Sequence, residues 1–134
     1  MNAITCLCGQ LTVQPGRPPD FVHECNCTLC RKTGARWAYY HPDEVKVSGK
    51  SEGYSRADKE EPAADIRFCA TCGTTTHFVL TESAAARHGN TMMGVNMRLA
   101  ADGDLAGVEL RFPDGAAWDG ASQFAYVEDA IILK

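Results

Sequence analysis

A mainly β domain, with antiparallel sheets gathered around zinc knuckles, is the fold class this sequence predicts. Three observations carry that expectation. Short runs of β-branched and aromatic residues recur between Gly and Pro punctuation, no long amphipathic helical pattern is present, and seven cysteines fall into three tight clusters. The chain has 134 residues. That length fits one domain over 1–134, long enough for a real core and small enough for an internal metal cross-link to matter.

Taken in order, Asn2 to Cys8 reads as a short strand ending in a Cys-x-Cys-Gly turn, where Gly9 opens the backbone. Pro15 to Asp20 is a Pro/Gly loop. Thr28 to Thr33 forms one helical turn before Gly34. Trp37 to Tyr40 is an aromatic strand stopped by Pro42, with Trp37 and Tyr39 on one face and Tyr40 on the other. Val45-Lys46-Val47 alternates, Gly49 to Gly53 turns, and Tyr54 restarts extended chain. Ser55 to Asp65 is charged and reads as a solvated loop. Ile66-Arg67-Phe68 runs into Cys69, and Thr74 to Leu80 leaves the Cys72-Gly73 knuckle as a strand. Ala84 to His88 is a brief helix; Val95 to Leu99, Gly107 to Phe112, Phe124 to Val127 and Ile131 to Leu133 complete the strand pattern.

The clusters are Cys6/Cys8, Cys25/Cys27/Cys30 and Cys69/Cys72. Thiolates one to three residues apart can converge on one soft cation, and zinc prefers sulfur in tetrahedral geometry. Disulfides would leave one of seven cysteines over, and no N-terminal apolar stretch directs the chain to an oxidising compartment, so metal and a cytoplasmic location are expected. A structural zinc takes four protein ligands and a working zinc three, so seven divides as four plus three. Cys25, Cys27 and Cys30 lie within six residues and suit the second zinc; Cys6, Cys8, Cys69 and Cys72 suit the first. Two other divisions stay open: His23 as a fourth ligand of the triad, or one thiol free and reactive.

The formal charge of −4 and a pI near 5.5 argue against nucleic acid as the main partner, and no run of 18 apolar residues offers a membrane span. Arg31 and Lys32 follow Cys30, where they could receive a substrate carboxylate or offset thiolate charge. His23 could serve as acid/base or make an ordinary hydrogen bond, and His77 has a weaker case. The Trp37–Tyr40 aromatics and Met92, Met93 and Met97 are expected mainly to fill the core.

With those residues in view, the chain resembles the glutathione-dependent formaldehyde-activating enzyme family, also called the GFA/CENP-V domain. The matching pieces are Cys6-Leu-Cys8-Gly9, His23-Glu-Cys25-Asn-Cys27-Thr-Leu-Cys30-Arg31-Lys32 with Gly34-Ala35, Gly53-Tyr54-Ser55, and Arg67-Phe68-Cys69-Ala-Thr-Cys72-Gly73-Thr74. They cover residues 3 to about 80. The resemblance implies an Mss4-like (β-tent) fold, with Cys6, Cys8, Cys69 and Cys72 on a structural zinc and Cys25, Cys27 and Cys30 on a catalytic one. It further implies a carbon–sulfur lyase that joins formaldehyde to the thiol of glutathione, giving S-hydroxymethylglutathione. Three anionic ligands blunt the Lewis acidity of such a zinc, so thiol binding and exchange suit it better than hydrolysis. The competing reading is a non-catalytic, zinc-stabilised interaction domain, supported by the clamp-like outer site and the absence of an obvious carboxylate base.

Overall fold

Alternating apolar residues near the N-terminus form two short strands, Ile4–Thr5 (β1) and Thr12–Pro15 (β2), which pair antiparallel, and β2 pairs in turn with Val45–Ser48 (β5). The computed structural model describes residues 1–101 and 103–134. Between β2 and β5 lie Val22–His23 (β3), the helix Thr28–Thr33 (α1) and Trp37–Tyr40 (β4). Ser51–Tyr54 (β6), Ala64–Cys69 (β7), Thr75–Leu80 (β8), the helix Glu82–His88 (α2), Met93–Asn96 (β9), Glu109–Pro113 (β10) and Tyr126–Ile132 (β11) follow.

Two sheets result: a three-stranded one, β1-β2-β5, and an eight-stranded one in the order β11-β10-β3-β4-β9-β8-β7-β6. The pairings are antiparallel with one exception. β3 and β10 run parallel, Leu110 opposite Val22, within a mainly β, mostly antiparallel fold as the sequence predicts. Such a pairing joins strands distant in sequence, so no local turn signal announces it.

The faces of β4 sort the molecule. Ala38 and Tyr40 point into a core with Ile4 and Val13 of the small sheet and Val22, Val95 and Leu110 of the large one, so that core lies between the two sheets. Trp37 and Tyr39 point to the opposite face, where Trp37 packs with Ile66, Phe78, Cys30 and Ala35. The register lines up Ile66, Phe78, Gly94 and Tyr39 across four neighbouring strands. The Phe78 ring meets Trp37 edge-on at 5.0 Å, an arrangement favoured by ring quadrupoles. This second face carries the triad.

Four boundaries differ from the sequence expectation. Ser51–Tyr54 is a strand paired with β7, so the turn is confined to Gly49 and Lys50. β7 begins at Ala64, shortening the expected charged loop. Met97–Leu99 is a 3-10 turn because Asn96 ends β9: its side-chain oxygen accepts from the N–H of both Arg36 and Arg98, while its amide donates to the Thr75 carbonyl. The two expected C-terminal strands are one, β11, exposed on both faces, so it lacks the alternation that would have revealed it.

Candidate metal centres

Cys6, Cys8, Cys69 and Cys72 come together from two loops about 60 residues apart, each closed by a glycine. Gly9 has φ 82°, as its turn requires, and its N–H donates to the Cys6 carbonyl. Their ligand atoms lie within 4.8 Å of one another. The Cys6–Cys8 and Cys8–Cys69 sulfurs are 3.6 and 3.7 Å apart. A tetrahedral zinc with bonds of about 2.3 Å separates its sulfurs by about 3.8 Å, so the four thiols fit that ion.

The loops also supply donors to these sulfurs. The Leu11 N–H reaches Cys6 Sγ at 3.2 Å, and the Thr71 and Cys72 N–H groups reach Cys69 Sγ at 3.4 and 3.5 Å. Thr74 Oγ1 lies 3.2 Å from Cys72 Sγ and accepts from the Leu7 N–H at 3.0 Å, linking the two loops. The Thr74 hydroxyl and then its N–H lower the Cys72 thiol to about 5. Backbone and hydroxyl donors of this kind favour thiolate, the form a metal binds. All seven cysteines are free of disulfides.

The second group is Cys25, Cys27 and Cys30, again with sulfurs within 4.8 Å. Cys27 is the N-cap of α1, and its sulfur accepts from the Cys30 N–H at 3.4 Å; Cys25 Sγ accepts from the Cys27 N–H at the same distance. Hydrogen bonds from Cys25 and then Cys30 hold the Cys27 thiol far below its ordinary range, at about 2, whereas those with Cys25 and then Cys27, together with burial, push Cys30 up. Three sulfurs so placed suit one thiophilic cation with a further coordination position. Among the described residues no histidine or carboxylate joins the group. His23 does not bring a ring nitrogen within 4.8 Å of all three sulfurs, and its Nδ1 lies 3.1 Å from the Tyr39 hydroxyl.

The sequence reading missed the segment that closes over the triad. Gly115 opens a 3-10 turn, and a Cβ built on it would sit 2.2 Å from Cys25 Sγ. Asn26 ties this turn down, donating to Asp114 Oδ1 at 2.9 Å and accepting from the Ala116 N–H at 2.9 Å. The Asn between two cysteines and the distant Asp-Gly pair were the available signals, but neither names the other.

A recess of about 190 Å³ lies over the triad, walled partly by Trp37, Tyr39, Phe78, Trp118 and Phe124. A larger hollow of about 760 Å³ adjoins it and adds Phe21, His23 and Tyr126. The two faces of β4 therefore split: Tyr40 and Ala38 belong to the core, whereas Trp37 and Tyr39 line a cavity beside the thiols, the alternative to the core packing expected for them. Met93 and Met97 fill the core as expected, while Met92 lines the larger hollow. Burial, and then the positive charge of Arg111, lowers His23 to about 4, and burial pushes the Tyr39 phenol up, so both are uncharged near neutrality. Arg31 and Lys32 are exposed in the last turn of α1. Arg31 borders a separate hollow with Cys25, Cys30 and Arg98, and Lys32 faces another beside Tyr54 and Arg56.

Residues 1–105 match the family described as glutathione-dependent formaldehyde-activating enzyme. No curated protein matches the chain. A crystal structure of a Rhodobacter sphaeroides protein, solved as a structural-genomics target, superimposes with a TM-score of 0.56 and 25% identity, covering 76% of this chain and 89% of that one. With a mainly β architecture, two cysteine groups placed to hold metal and a family match over most of its length, the chain belongs to the GFA family.

Proposed function

We propose that the protein is a zinc-dependent enzyme of carbon–sulfur lyase type, acting on the adduct of a thiol and an aldehyde. The observation that carries this reading is the unequal setting of the two cysteine groups. Four thiols form a clamp between loops, whereas three thiols lie beneath a concave, aromatic recess. In this reading Cys6, Cys8, Cys69 and Cys72 hold a structural zinc, and Cys25, Cys27 and Cys30 hold the catalytic one. The family's named substrates, formaldehyde and glutathione, are the first candidates.

When bound, the second zinc would supply positive charge that favours the thiolate form of a thiol and offsets negative charge developing on an adduct oxygen. The chain's own residues set the conditions. α1 and the Gly115 turn fix the thiols from two sides, with Asn26 joining them. Trp37, Phe78, Trp118 and Phe124 restrict water around the reacting group. Tyr39 brings a neutral hydroxyl to the recess, held by His23 Nδ1. Arg31, beside Cys25 and Cys30, is placed to offset thiolate charge.

Exchange spectroscopy on mixtures of formaldehyde with a panel of thiols, glutathione among them, tests the proposal. Zinc-loaded protein is expected to accelerate exchange of at least one adduct, and Cys27→Ala is expected to abolish the acceleration while remaining folded. Acceleration by the parent and by Cys27→Ala alike, or by neither with any thiol, would remove this reading.

A further inference from the structure

We propose that the hollow beside the triad seats an uncharged, ring-bearing group of the substrate, with His23 Nε2 as its polar anchor; the inference rests on the triad being the working site. The 760 Å³ hollow and the 190 Å³ recess share Tyr39, Ala64, Phe78, Trp118 and Phe124, so the same side chains bound both spaces. That volume lies within the range of small-molecule sites, and an apolar cavity of about 150 Å³ already holds a benzene ring.

The wall decides the ligand class. It contains no Lys, Arg, Asp or Glu. Glutathione carries two carboxylates and an ammonium, and each would lose water there without meeting an opposite charge. Formaldehyde, at the other extreme, would leave the hollow unfilled. An aromatic ring meets the edges and faces of Phe21, Phe78 and Phe124 in the arrangements that ring quadrupoles favour. Arg111 stacks on Phe21 at 4.0 Å but is not part of the wall.

His23 supplies the second, independent observation. It is 4% exposed and lines the hollow, yet its Nε2 meets no polar partner, alone among buried side-chain nitrogens and oxygens of the described residues. Nδ1 is already engaged with Tyr39, which fixes the ring and leaves Nε2 for something else. Phe124 and Tyr126 lie against that imidazole, at 5.6 and 6.2 Å between centroids, and both line the same hollow. A hydroxyl carried by the ring-bearing group itself would satisfy the nitrogen. The group this hollow seats is therefore ring-bearing and uncharged.

The test uses two thiol-free probes, benzyl alcohol and S-methylglutathione, titrated into the zinc-loaded full chain and followed by the indole N–H resonance of Trp118. Benzyl alcohol is expected to bind at least about tenfold more tightly than S-methylglutathione, since only the latter leaves buried charges unpaired. Ala64→Phe is expected to weaken benzyl alcohol by about tenfold by filling the shared wall, with zinc content unchanged. Should that variant fail to fold, Phe124→Ala, which removes a ring from the shared wall, is expected to weaken it by at least about threefold. His23→Phe is expected to weaken benzyl alcohol by about fivefold and leave toluene unaffected, which a purely structural role would not do. Equal or tighter binding of S-methylglutathione, or benzyl alcohol binding indifferent to the cavity variants, overturns the inference. Because neither probe undergoes exchange, tight benzyl alcohol binding without any thiol-exchange activity would uphold the cavity and fail the lyase reading alone.

Discussion

Gly115 is where the far end of the chain touches the cysteine triad. Any Cβ there would run into Cys25 Sγ, so Gly115→Ala must displace either the sulfur or the turn that Asn26 anchors. The expected result is a loss of about 10- to 100-fold in metal affinity at the triad, with the four-cysteine site unaffected, read by chelator competition. His77 gives a separate prediction. Burial, and then the nearby Arg67, lowers it to about 4, with Asp65 opposing, so the unfolded chain takes up a proton near pH 6.5 that the folded chain refuses. Stability is thus full above about pH 6.5 and falls as pH drops toward 4. The contribution lost between pH 7 and pH 5 is up to about 2 kcal/mol. Urea midpoints at those two pH values should differ less in His77→Gln than in the parent, and an equal difference would contradict the assignment. At this scale the sequence spoke clearly for its cysteines, because ligand spacing is local. It was silent on Gly115, whose partner stands 90 residues away.

The elements divide the thiols unequally. The two loops holding Cys6, Cys8, Cys69 and Cys72 join the small sheet to the large one, since β1 leads into the first and β7 ends in the second. The triad sits on one short helix turn and its approach. Alanine at Cys69 is therefore expected to lose soluble fold along with zinc, whereas alanine at Cys27 is expected to lose one zinc with a fall in melting temperature of only a few degrees, about 1 kcal/mol. Calorimetry beside metal analysis checks both, and equal unfolding of the two variants would contradict the division. α1, β4, β5, β8 and the parity of β4 were legible from local signals: Gly34 after α1, the aromatic run before Pro42, the Val45–Val47 alternation and the Cys72-Gly73 knuckle ahead of β8. β6 and β11 were not. Both are mostly exposed edge strands of the large sheet, and their place comes from pairing rather than from burial.

For the whole molecule, one large sheet works on both faces: one packs on the small sheet as core, and the other carries metal ligands and an aromatic hollow. The family match spans residues 1–105, and Trp118, Phe124 and Tyr126 of the hollow lie beyond it. Local periodicity gave the β character, while the parallel β3–β10 pairing that brings this segment to the triad depends on contacts across nearly 90 residues. The central claim is a four-plus-three division of sulfur around two zinc ions. X-ray absorption at the zinc edge, with metal stoichiometry, on the parent and on Cys27→Ala tests it most directly. The parent should hold two zinc ions per chain, and Cys27→Ala should keep one with an all-sulfur shell of four. A single zinc in the parent, or a histidine nitrogen in the shell that survives in Cys27→Ala, would contradict it.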